Sequence, residues 1–74
     1  MAESSYPLMQ IAKAAGADYG DVLQVAYLMR EFKHGNTVPR ARARACMNAG
    51  TRIMNRIGGM AYGRQIVGPI VARL

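Results

Sequence analysis

The sequence predicts an all-α domain of about four short helices, and three observations carry that prediction. Apolar residues recur at helical spacing, as at Val22, Val25, Ala26, Met29 and Phe32. No stretch alternates at strand length before a turn dipeptide and a second β-branched run. Gly, Pro and Asn punctuate the chain at intervals that suit short helices. With 74 residues, the chain is a single domain, 1–74. A domain this small buries only roughly 60–65% of the surface that its unfolded chain exposes.

Residues 1–5 read as a frayed end. The first helix runs from about Pro7 to Ala15, with Ser5 as N-cap and Pro7 in the first turn, where its missing N–H does no harm. Gly16 ends it, because glycine takes a positive φ without strain. The second helix runs from about Asp18 to Lys33. Asp18 caps it, and Asp21 sits in the first turn, where the helix dipole favours a carboxylate. Arg30, Lys33 and His34 stand at the opposite end, again with the favourable sign.

Gly35 and Asn36 form a turn, and a third helix opens at Pro39 and closes at Gly58-Gly59. Its "RARARA" start alternates like a strand, but helical spacing separates the residues better. Ala43, Cys46, Met47, Gly50, Ile53, Met54 and Ile57 fall within an arc of roughly 120°, while Arg40, Arg42, Arg44, Arg52 and Arg56 take the opposite half. The fourth phrase, "MAYGRQIVGPIVARL", repeats apolar residues at Ile66, Val67, Ile70, Val71 and Leu74. Pro69 lacks a backbone donor, so Gly68-Pro69 is expected to kink or break this helix.

Charge narrows the function classes. Residues 1–38 carry three cations and four acids; residues 39–74 carry seven Arg and no acid. The whole surplus of +6 therefore lies in one half. Such asymmetry points to a polyanion or to an acidic protein partner. Arginine suits phosphate, because its planar fork binds two oxygens at once.

The first two helices can then be read together. In "IAKAAGADYGDVLQV", Ala12 is a small residue four before Gly16, and Val22 and Val25 lie six and nine after it. With Ile11, Ala15 and Ala17 they supply the small crossing residue, the glycine turn and the apolar lock of a bihelical unit. Residues 8–27 resemble the helix-turn-helix of Cro- and repressor-like phage and bacterial regulators. The resemblance implies that the second helix faces the major groove through Tyr19, Leu23, Gln24 and Tyr27. Gln24 would pair with adenine, and Tyr19 would bond a phosphate. Asp18 and Asp21 near the start of that helix would repel phosphates. Affinity is therefore assigned to Arg40, Arg42, Arg44, Arg52 and Arg56.

Catalysis finds little support. His34 reads as a helix C-terminal cation and Cys46 as a small buried residue. "RIGGMAYGR" has no strand before it and no Gly-Lys-Ser or Gly-Lys-Thr after it, unlike a phosphate-binding loop. No metal site or cofactor is expected. The lone cysteine rules out an internal disulfide and fits a reducing compartment. No secretory segment precedes the domain and no run spans a membrane, so a cytoplasmic location is expected, with the nucleoid if DNA is bound. A small core invites self-association, and Ile66, Val67, Ile70, Val71 and Leu74 are assigned to a homodimer contact. The sequence thus reads as a non-enzymatic, double-stranded DNA-binding regulator. Two rivals stand beside it: an adaptor or inhibitor docking its Arg face on an acidic protein, and a structural subunit of a nucleoprotein assembly.

Overall fold

The computed structural model describes the backbone of residues 2–74 and the side chains of residues 7–74. The chain is all-α. Helix α1 spans Ala2–Ala15, α2 spans Tyr19–Lys33 and α3 spans Arg40–Ile57. A last rod joins α4 (Gly59–Ala61), a π-helical stretch (Tyr62–Val67) and α5 (Gly68–Arg73) without interruption. Among the described residues there is no strand, and no helix is long and apolar enough to cross a membrane.

Helix ends follow the sequence closely where a cap or a glycine fixes them. Asp18 caps α2 by accepting a hydrogen bond from the Asp21 N–H at 3.1 Å. Helix α1 stops at Gly16, whose φ of 73° is left-handed. There the Ala17 N–H donates to the Ala12 carbonyl at 2.9 Å and the Gly16 N–H to that of Lys13 at 3.3 Å. This pair of bonds is the Schellman ending, which satisfies carbonyls that the helix leaves open. Helix α2 ends the same way, with Asn36 N–H on Glu31 and Gly35 N–H on Phe32. At the start of α1 the expectation fails. Helix α1 starts at Ala2, ahead of the expected start near Pro7, so Ser5 lies within its range. Pro7 lies inside α1 and forfeits one backbone bond there. Met1 lies outside the described residues.

The core gathers Ile11 and Ala12 of α1, Val22, Val25 and Ala26 of α2, Ala49 and Ile53 of α3, and Ile66 and Ile70 of the last rod. Helices α2 and α3 run antiparallel. Asp21 meets Arg52 at one end, and Val25 and Leu28 lie by Gly50 and Cys46 further along. Two details of the expected core are corrected. Phe32, in the last turn of α2, is 63% exposed, and Leu28 is buried instead. The buried side of α3 is Cys46, Ala49, Gly50 and Ile53, turned by roughly 50° from the expected arc. Ala49 and Gly50 let the backbone of α3 approach its neighbours. A Cβ added to Gly50 would lie 2.9 Å from the Tyr62 hydroxyl and 3.6 Å from Val25. The longer Met47 and Met54 are displaced to the rim, both exposed.

The last rod does not break at Gly68-Pro69. The π-helical stretch absorbs the proline: the Gly68 N–H donates five residues back, to the Gly63 carbonyl, and Pro69 stands at the start of α5. A widened turn of this kind accommodates a missing donor without ending the helix. Ile66 and Ile70 point inward and are fully buried within one chain. Leu74 also packs on the core, Val67 is half-buried, and Val71 is exposed. The segment assigned to a homodimer contact therefore spends most of its apolar surface closing the monomer's own core.

That placement has a measurable consequence. Ile66→Ala should cost about 2–5 kcal/mol through the cavity it leaves. Val71→Ala should change stability by no more than about 0.5 kcal/mol. Urea unfolding of both variants checks this; equal effects would contradict an inward Ile66.

Candidate nucleic-acid interface

Helix α3 begins at an N-cap, Pro39, that makes no side-chain capping bond, and its first turn holds no acid. Arg40, Arg42 and Arg44 follow within five residues. The N-terminus is the positive end of the helix dipole, so side chains of the same sign stand where an anion is favoured. Arg40 and Arg44 are exposed and border a shallow depression of about 400 Å³ with Ala43, Met47 and Asn48. Among the described residues neither makes an ion pair.

The other three arginines of α3 are seated on the α1–α2 pair. Arg42 lies over the Tyr27 ring with its guanidinium carbon 4.1 Å from the centroid, a cation–π contact. Arg52 forks onto Asp21: Nη2 donates to Oδ1 at 2.8 Å, and Nε lies 3.2 Å and 3.3 Å from the two oxygens. That hydrogen bond raises the Arg52 pKa further above its ordinary value. The Arg52 side chain stays 55% exposed, so it is anchored without being hidden. Arg56 Nε donates to the Gly16 carbonyl at 2.8 Å, placing a cation at the C-terminal end of α1. The five arginines are thus not one open face. Two project freely and three brace the fold.

The outward side of α2 is also divided. Tyr19 packs partly against the core. Leu23 and Tyr27 line a groove that α2 forms with α1 and α5. Gln24 is half-buried on the outer side. The structure brings Tyr27 together with Arg42, and it neutralises Asp21 with Arg52, removing part of the repulsion that Asp21 would offer to a phosphate. Sequence reasoning missed both pairings, and also Arg56 on Gly16. The one available signal was complementary charge: a single acid in the first turn of α2 and acid-free α3.

Cys46 is buried, and His34 caps the C-terminal end of α2 through its backbone N–H on the Arg30 carbonyl at 3.1 Å. Among the described residues no three His, Cys, Asp or Glu side chains gather to hold a metal ion. The chain matches no known family, no characterised protein and no solved structure.

The Arg52–Asp21 fork should behave as a unit. Arg52→Gln and Asp21→Asn should each lower the melting temperature, while the double variant should lose little more than either alone. Thermal unfolding at two salt concentrations checks it, and the differences should shrink at high salt. Fully additive losses would show that the pair is not coupled.

Proposed function

We propose that this protein is a small, non-enzymatic DNA-binding protein, a transcriptional regulator of phage or bacterial type acting in the cytoplasm at the nucleoid. The observation that carries the reading is the opening of α3: three arginines at an uncapped helix N-terminus with no acid in the first turn. Those charges disfavour the isolated helix, and a phosphate placed there relieves them. Arg40 and Arg44 would make the backbone contacts. Arg42, Arg52 and Arg56, held by Tyr27, Asp21 and Gly16, would add field without adjustment. Base reading through α2 rests on Gln24, because Tyr19, Leu23 and Tyr27 are each partly engaged within the fold.

A protein-binding adaptor is the second reading, and one observation favours it. Phe32, Met47, Met54 and Met60 are large apolar side chains left exposed. Polarizable Met side chains suit adaptable contact surfaces. A homodimer, if formed, would draw on these residues and Val71 in preference to Ile66 and Ile70. In the third reading, a nucleoprotein subunit, the same arginines hold DNA without reading it.

A mobility-shift titration against duplex DNA at several salt concentrations separates these readings. Replacing Arg40 and Arg44 with Gln should weaken binding to all duplexes and make the dependence on log salt shallower by roughly 0.9 for each lost phosphate contact. Gln24→Ala should leave that slope unchanged and narrow the gap between preferred and random sequence by about 1–3 kcal/mol. The first effect without the second would favour the nucleoprotein subunit. No binding to any duplex at low salt would defeat the DNA reading and leave the adaptor.

A further inference from the structure

A second concavity lies away from the free arginines of α3. It is a groove of about 570 Å³ between α1, α2 and α5. Its walls are apolar, built from Leu8, Leu23, Ala26, Ile70 and Leu74, with the Tyr27 ring at one side. Among the described residues, the charged side chains that line it are Arg30 and Arg73. Both arginines are exposed, and among the described residues neither makes an ion pair.

Local sequence explains why the two cations share this groove. Arg30 follows Ala26 and Tyr27 by four and three residues, and Arg73 follows Ile70 by three. At those spacings each cation shares a helix face with apolar lining residues one turn before it. Each lies in the last turn of its helix, where the dipole favours a cation. The two helix ends are tied together, since the Lys33 ammonium donates to the main-chain oxygen of Leu74. Helix dipoles account for a cation at each end. They do not account for both cations bordering the same apolar groove. The volume falls within the usual range for small-molecule sites, which pair apolar walls with a few convergent polar groups.

We infer that this groove binds an amphipathic anion, an apolar chain carrying one carboxylate, with Arg30 and Arg73 on the head and Leu8, Leu23 and Ile70 along the body. Arginine forks match a carboxylate in two parallel bonds, which gives the head a defined seat. The two arginines of this site are distinct from those proposed to meet DNA, since neither belongs to α3.

Isothermal titration of the full chain with decanoate, and with decanol as the uncharged control, tests it. Decanoate should bind saturably at one site, and decanol at least about tenfold more weakly. Arg30→Gln and Arg73→Gln should each weaken decanoate by about tenfold while leaving the helical circular-dichroism spectrum unchanged. Amide shifts should move at Leu23, Ala26 and Ile70. Any of three results would overturn the proposal: no saturation below the millimolar range, equal binding of decanol and decanoate, or shifts confined to Met47 and Met54. Unaltered affinity in both Arg variants would do the same.

Discussion

How closely α3 can lie against α2 decides most of what this chain looks like. The contact is made by small residues, with Ala49 fully buried and Gly50 backed directly by Tyr62 and Val25. Backbones that approach this closely bring many atoms into contact for little side-chain ordering, and interiors tolerate few gaps. The rotation of α3 follows from that seam. Once Ala49 and Gly50 face inward, Arg52 and Arg56 fall on the edge nearest α2 and α1, within reach of Asp21 and the Gly16 carbonyl. Met47 and Met54 fall on the other edge, towards water. Steric fit thus comes first, and the electrostatic arrangement is its consequence.

The same order of causes explains what could be read from residues alone. The ends of α2 were visible because they rest on local chemistry: an Asp cap at one end, a glycine in the left-handed region at the other. Helix α3 was visible in extent but not in rotation. Hydropathy ranks Met above Ala, whereas the seam selects for size and takes Ala49 in place of Met47. Gly68-Pro69 left two outcomes open for a related reason. A proline signals a lost donor, but only the surrounding packing determines whether the helix breaks or widens, and here Ile66 and Ile70 hold it on the core. The Asp21–Arg52 fork joins residues 31 apart, so no window along the chain contains it.

Function is distributed over this frame unevenly. The acid-free half supplies the charge, yet most α3 arginines are committed to the protein itself, leaving Arg40 and Arg44 exposed at the helix start. Tyr27 connects the two regions of interest. One side of its ring carries Arg42, and the ring also borders the groove flanked by Arg30 and Arg73. A body entering that groove would press on the residue that positions Arg42. The fold therefore contains a short physical path between an apolar cleft and a basic helix, made of one ring.

Cys46 sits on the same seam, 1% exposed and unpaired. It is the sole thiol in the sequence, so any thiol-specific reagent has a single target, and that target is shielded while α2 and α3 remain together. Its modification rate in native buffer consequently records how often the seam parts, residue by residue motion being filtered out by burial. The chain carries its own clock for helix separation, readable without adding a label or altering the sequence.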